Sequence, residues 1–263
     1  MSDSTADILA FCLDLADEAD AITMRHYRSG VAVREKSDRT LVTDADEATE
    51  RMLRERIMAR FPTHSILGEE EGFVEGEEGE ARWILDPIDG THSYARDIPI
   101  WATLIAFERG GELEVGVASA PALGTRWWAA RGLGAYRGAL PAQGHAGERI
   151  HVSDRASIEQ AQILEGGHPS VIDAYPGADA LLRAAWRTRS FSDFWGHCLV
   201  AEGSAEAMVE GVINAWDIAA LQVIVEEAGG RMTDLDGART IDAGHVITTN
   251  GAIHEDVLRR LKG

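Results

Sequence analysis

The chain has 263 residues, 45% of them hydrophobic, enough for one large domain or two intimate halves with ample core. Forty-four acidic against 25 basic residues give a formal net charge of −19, which disfavours a nucleic-acid or anionic-membrane surface as partner and repels phosphate esters unless a bound cation reverses the sign locally. No run of about 18 apolar residues occurs, Met1-Ser2-Asp3-Ser4-Thr5 lacks the basic start of a secretory signal, and two cysteines without a CxxC motif, Cys12 and Cys198, favour a reduced, cytoplasmic setting.

In chain order, Ile8, Phe11, Cys12, Leu15, Ala19 and Ile22 recur at helical spacing between Ser4 and Arg28. This is a packing face, and Gly30 is expected to end it. Val31 to Glu35 alternate like a short strand and lead to Lys36. Thr43-Asp44-Ala45-Asp46 then opens a second helix, running through Leu53 and Ile57 to Pro62. Thr43 with an acid three residues on reads as a capping box, which by itself accounts for Asp46 as a helix-start residue. The same tetrapeptide nearly matches the DxDx signature of haloacid-dehalogenase phosphatases, with Asp44 as covalent nucleophile and Asp46 as its acid/base partner. Against that mechanism, Ala48 stands where Thr or Val is needed, and only Leu41-Val42 precede the aspartates.

Ile66-Leu67 reads as a strand ending in Gly68-Glu69-Glu70, and the acidic run from Glu71 to Glu80 as a solvated loop. Trp83-Ile84-Leu85 is a buried strand that delivers Asp86 to a tight turn. Pro87 fixes φ there, Gly90 admits φ > 0, and Thr91 is expected to cap a short helix ending before Pro99. Asp86 and Asp89 therefore sit close together beside a helix N-terminus. Crowded carboxylates repel unless a cation lies between them, and free helix N–H groups attract an anion, so metal on one side and phosphate on the other is the simplest chemistry. The plain alternative is an Asp-rich capped turn.

Trp101 to Phe107 and Glu112 to Ala118 read as strands joined at Gly110-Gly111, and Thr125 to Ala130 as another, closed by Gly132 and Gly134. The Trp127-Trp128 pair in it is read as core. Residues 1–145 thus form an α+β half. Residues 146–263 alternate as an α/β half of the same structural unit. Its strands are Gln162 to Leu164, Ala207 to Glu210 and His245 to Thr248; its helices lie near Val171 to Ala185, Phe194 to Ala201, Asp217 to Ala228 and Glu255 to Leu261. His92, His168 and His197 are scattered without HExxH spacing, so an all-oxygen magnesium site is favoured over zinc. A serine hydrolase has no support, since no GxSxG occurs.

Asp46, Gly68-Glu69-Glu70, Asp86-Pro87-Ile88-Asp89-Gly90-Thr91, and Trp216-Asp217 followed by Gly229-Gly230 occur in this order. Together they resemble the inositol monophosphatase family of magnesium-dependent, lithium-sensitive phosphatases, over nearly the whole chain. The resemblance implies a layered αβαβα sugar-phosphatase fold, a site at the junction of the halves and a homodimer. The implied reaction is hydrolysis of a small phosphorylated metabolite with two or three Mg2+ ions in a metal clamp. Glu69, Asp86 and the Ile88 carbonyl are implied as ligands of a first ion, and Asp86, Asp89 and Asp217 of a second. Glu69, Asp46 and Thr91 are implied as catalytic, Asp46 and Thr91 by orienting the attacking water. The N–H groups of Gly90 and Thr91 would grip phosphate, Asp44 offers an outer metal ligand, and Lys36 would lie near the site. Taken alone, Asp217 reads as an ordinary helix N-terminal acid.

Counting back from Asp217, Glu210 matches the family position that contacts the alcohol portion of the substrate. Asp193 stands where inositol phosphatases carry a small neutral residue. A carboxylate there suits an amine better than a sugar hydroxyl, because charge-assisted hydrogen bonds are the stronger kind. The runs Thr125 to Gly132 and Trp186 to Phe194 also resemble the histidinol-phosphatase branch of the family. L-histidinol phosphate is therefore the implied substrate, ahead of inositol 1-phosphate or another small sugar or nucleotide phosphate. The structural alternative for Asp193 is an ion pair with Arg187 or Arg189. A protein that binds metal and phosphate without turnover is the alternative from another class.

Overall fold

A computed structural model describes residues 3–30, 33–35, 41–77, 81–140 and 146–263. Helix α1 (Thr5–His26) begins on a capping box, Ser4 Oγ accepting the Asp7 N–H while the Asp7 carboxylate accepts the Ser4 N–H. Strands β1 (Val33–Glu35) and β2 (Leu41–Thr43) pair antiparallel and lead into α2 (Asp44–Arg60), capped in the same way by Thr43 and Asp46. Next come β3 (Ser65–Gly68), β4 (Gly72–Val74), β5 (Arg82–Asp89), the short α3 (Thr91–Tyr94), β6 (Ala102–Arg109), β7 (Glu112–Ala120), β8 (Thr125–Ala130), β9 (Gly134–Ala139) and β10 (Glu148–Ile150). Among the described residues the strands from β3 onward form an eight-stranded sheet, ordered β10-β9-β8-β7-β6-β5-β3-β4, antiparallel throughout except where β3 lies parallel to β5.

The remainder of the chain is β11 (Gln162–Glu165), α4 (His168–Ala174), α5 (Ala178–Ala184), β12 (Arg187–Arg189), α6 (Asp193–Ala201), β13 (Ala207–Glu210), α7 (Ala215–Glu227), β14 (Arg231–Thr233), β15 (Val246–Thr249) and α8 (His254–Lys262). Its strands make a second, mixed sheet, ordered β12-β11-β13-β15-β14, with parallel pairs on both sides of β11.

Alternation along β5 shows how the layers arise, since successive side chains of a strand point to opposite faces. Trp83 and Leu85 pack with Phe11, Leu15, Leu53 and Ile57 of α1 and α2, whereas Ile84 faces Phe194 of α6 and Leu221 and Ile224 of α7. Every residue of α7 from Ile218 to Val225 is buried, as expected of a helix held between two sheets. The second sheet turns Met208 toward Val200 of α6, and Ala207, Val209 and Ile247 toward α4, α5 and α8. The result is the expected αβαβα stack, with α6 and α7 of the C-terminal half seated on the sheet of the N-terminal half.

Several readings need correction. The acidic run after Glu70 contains an edge strand, β4, whose backbone pairs with β3 although Phe73 and Val74 stay exposed; composition speaks for side chains and not for backbone pairing. Residues 78–80 of that run lie outside the described residues. The helix expected from Val171 to Ala185 is two helices, interrupted at Pro176, which cannot continue a helical hydrogen-bond ladder. The short strands β9, β10, β12 and β14 were not read, and β10 extends the first sheet to Ile150. Thr91 is not the cap of α3. That position belongs to Gly90 in the left-handed region at φ +87°, without a side-chain cap bond.

Candidate active site

The end of β5 faces the start of α7, and carboxylates from distant segments meet there. Asp86 and Asp89 flank a register shift of β5 against β6, the kind of irregularity that re-aims side chains. Asp217 comes from the first turn of α7. Each of the three offers an oxygen within 4.8 Å of the others. They open on a cavity of about 420 Å³ whose lining includes Glu69, Ile88, Gly90, Thr91, Asp193 and Glu210.

Backbone donors fix one oxygen of Asp89, of Asp217 and of the neighbouring Asp46. Asp89 Oδ2 accepts the Phe194 N–H at 2.6 Å, at the start of α6. Asp217 Oδ2 accepts the Asn214 N–H at 2.6 Å, and Asp46 Oδ2 accepts both the N–H and the hydroxyl of Thr43, at 2.8 and 2.5 Å. Asp86 Oδ1 is buried and, among the described residues, has no hydrogen-bond partner. An orphaned carboxylate oxygen amid like charges fits a hard cation with oxygen ligands, and magnesium has that chemistry.

The electrostatics agree. Burial, then Glu69, Asp89 and Asp217, holds Asp86 well above the usual carboxylate range; burial, then Asp193 and Asp217, does the same for Asp89. Asp217 is pushed up to about 7 by burial first, with Glu69 and Glu210 adding to it and the Asn214 backbone bond opposing. Burial raises Asp46 to about 6 despite its bonds from Thr43, and burial with Glu210 raises Asp193 to about 6. Acids drawn out of water beside acids are stable as anions only once a cation joins them.

The cavity therefore gathers Glu69, Asp86, Ile88, Asp89, Gly90, Thr91, Asp193, Glu210 and Asp217. Asp46 lies fully buried behind them: Thr91 Oγ1 is 3.5 Å from Asp46 Oδ1 and 3.0 Å from the Ile88 carbonyl oxygen. Asp44 does not line the cavity. Its side chain is 59% exposed and pairs with Arg34 at 3.1 Å. Asp44 and Asp46 occupy the first and third positions of α2, which point in different directions. Asp193 makes no ion pair with Arg187 or Arg189; its carboxylate accepts the Ser192 hydroxyl at 3.3 Å. It also sits at φ +56°, a left-handed conformation that Asp tolerates better than bulkier residues. Trp127 and Trp128 are core residues. Lys36 lies outside the described residues.

Two buried residues that support the site were not read from the sequence. His197 was set aside among scattered histidines, yet its ring reaches Glu210 from beneath. The available signal was a lone polar ring on the apolar face of α6, one helical turn past Asp193. Glu50 is fully buried and accepts the N–H groups of Glu70 and Glu71 at 2.8 and 2.9 Å, holding the loop that presents Glu69. Its signal was the spacing Asp46, Glu50, Arg54 along one helix face, where Arg54 neutralises Glu50 at 2.8 Å.

A model of the inositol monophosphatase family matches residues 5–262. The chain is 42% identical over 261 residues to a histidinol-phosphatase of Mycobacterium tuberculosis, covering 97% of this chain and 98% of that one. It is 41% identical over 253 residues to a histidinol-phosphatase of Streptomyces coelicolor, covering 93% and 92%. A solved structure of a Thermotoga maritima IMPase superposes with a TM-score of 0.85 at 32% identity, over 97% of this chain and 96% of that one.

Proposed function

Because the chain belongs to the inositol monophosphatase family, we propose that it is a magnesium-dependent phosphomonoesterase that hydrolyses L-histidinol phosphate to L-histidinol and phosphate. The observation that carries the substrate is that Asp193 and Glu210 line the same cavity as the Asp86, Asp89 and Asp217 cluster and, among the described residues, have no Arg or Lys partner. One cavity thus offers oxygen ligands for a metal and phosphate, and separate carboxylates for a cationic alcohol. The histidinol-phosphatases among the relatives point the same way.

Glu69, Asp86 and the Ile88 carbonyl would hold one ion, and Asp86, Asp89 and Asp217 a second. Bound Mg2+ supplies Lewis acidity: it makes water nucleophilic near neutral pH and offsets charge on the departing oxygen. The rest falls to the chain itself. The single proton of Thr91 Oγ1 serves either Asp46 Oδ1 or the Ile88 carbonyl, leaving a lone pair to accept a hydrogen bond from the attacking water. Thr43 keeps the Asp46 carboxylate aimed at Thr91. The N–H groups of Gly90 and Thr91 begin α3, have no helical partner, and would bind phosphate oxygens. Asp193 and Glu210 would take the ammonium and imidazole end of the substrate by charge-assisted hydrogen bonds.

The test is phosphate release with Mg2+ from histidinol phosphate, inositol 1-phosphate, fructose 1,6-bisphosphate and adenosine 3′,5′-bisphosphate, each repeated after chelation. Histidinol phosphate should show the highest kcat/KM, and chelation should abolish turnover. A higher kcat/KM for inositol 1-phosphate would overturn the substrate while leaving the phosphatase; tight phosphate binding without turnover of any ester would favour the non-catalytic reading.

A further inference from the structure

Glu210 ends β13 with its carboxylate in the cavity, and the residues around it do more than fill space. Its carbonyl accepts the Tyr175 hydroxyl at 2.8 Å. A β-carbon on Gly166 would lie 2.2 Å from Glu210 Oε1, so glycine is what leaves room for this carboxylate. Below it lies His197, 1% exposed, with both ring nitrogens engaged: Nε2 is 2.9 Å from Glu210 Oε2 and Nδ1 is 2.8 Å from Thr248 Oγ1. An ionised carboxylate only accepts, so Nε2 carries the proton of its bond to Oε2, while Nδ1 is held by the Thr248 hydroxyl. The chain Thr248 to His197 to Glu210 ends on Oε2. Among the described residues, Oε1 has no hydrogen-bond partner.

We propose that His197 is a positioning residue for substrate specificity: anchored by Thr248, it clamps Oε2 of Glu210 so that Oε1 is presented, preorganised, to the cationic alcohol portion of the substrate. This rests on the function proposed above for the same cavity. A carboxylate already fixed need not be ordered when substrate arrives, and the difference appears in binding of the alcohol portion rather than in attack at phosphorus. The ring bonds of His197 go to Thr248 and Glu210 and to none of Asp86, Asp89, Asp217 or Thr91, so a generic phosphate ester should be indifferent to it.

The two ring nitrogens can be separated by substitution. In His197→Gln the amide nitrogen falls near the place of Nε2 and can still donate to Glu210; in His197→Asn the shorter amide falls near Nδ1, keeps Thr248 and loses Glu210. Steady-state kinetics with Mg2+ are measured on histidinol phosphate and on p-nitrophenyl phosphate. His197→Asn should raise KM for histidinol phosphate about tenfold, as for loss of a hydrogen bond to a charged group, with kcat and the p-nitrophenyl phosphate constants within about twofold of wild type. His197→Gln should recover most of the lost KM. Equal behaviour of the two variants on histidinol phosphate, or equal losses on both esters, overturns the proposal. Should His197→Asn fail to fold, Thr248→Val removes only the far anchor and should raise KM for histidinol phosphate alone, about threefold; an unchanged KM, or equal losses on both esters, overturns it. The wild-type ranking of esters reads the substrate, whereas the variant-to-wild-type ratios read His197. If another ester ranks first, the same ratios are taken on that ester.

Discussion

Replacing Asp86 by Asn should make the metal-free protein more stable and the enzyme nearly inactive. Asp86 is buried, its Oδ1 has no partner among the described residues, and carboxylate oxygens of Asp89 and Asp217 lie within 4.8 Å. Two charges at that distance repel by about 3.5 kcal/mol at an effective dielectric of about 20. The native protein relieves part of this by taking up protons, so about 1–3 kcal/mol should be recovered in the variant, or about 3–8 °C in Tm for a domain of this size. The Asn amide can also donate to the neighbouring carboxylates. The pH dependence follows from the sign of the shift. The folded pKa of Asp86 is raised, so the penalty of ionising it is full above that pKa and fades as pH falls and the folded carboxyl protonates. The gain should therefore be largest at the alkaline end of the pH range and shrink as pH falls. Thermal unfolding is followed by fluorescence in chelator and in saturating Mg2+, in parallel with phosphate release. In Mg2+ the ranking should invert, because wild type gains ligand-linked stability that the variant has lost, and kcat should fall by about a thousandfold or more, as for removal of transition-state electrostatics. A variant less stable than wild type in chelator at pH 8, with activity retained, would refute the account of this cluster.

Asp193→Ala should raise KM for histidinol phosphate at least about tenfold with little change for p-nitrophenyl phosphate; a uniform loss on both esters would assign Asp193 to folding alone. Glu50→Ala should cost about 3–5 kcal/mol, because it strands the Arg54 guanidinium and frees the N–H groups of Glu70 and Glu71; equilibrium denaturation measures it, and a loss below about 1 kcal/mol would be inconsistent with a buried pair. His254 is buried between the hydroxyls of Thr233 and Thr249, and burial lowers its pKa to about 4. Its folded pKa lies below the unfolded value, so its contribution is intact above about pH 6.5 and is lost as pH falls from there toward 4. In saturating Mg2+, His254→Gln should flatten the fall of Tm across that window; an unchanged slope would count against it.

Much of the fold was legible because its signals are local. The apolar run Trp83-Ile84-Leu85 marks a buried strand, the capping box at Thr43 marks a helix start, and the run from Ile218 to Val225, interrupted only by Gln222, marks a buried helix. Short strands such as β12 and β14 were not legible. Three residues hold no periodicity, and they are strands only because a neighbouring backbone lies alongside. The acidic stretch after Glu70 misled for the same reason: β4 exists through its pairing with β3.

What the sequence determined by itself was the kind of chemistry. Asp86, Asp89 and Gly90 are crowded by their covalent neighbours, so a cation and an anion site were implied before any tertiary contact was known. What only the tertiary structure decided was membership. Asp217 meets Asp86 because α7 is held between two sheets, and Glu210 reaches the same cavity from the end of β13 in the second sheet. Asp44 does not line the cavity although it stands two residues from Asp46, because these positions of a helix face different ways. His197 and Glu50 belong because each is the buried partner of something in the site, and such partnership is fixed by packing between segments far apart in the chain rather than by spacing along it.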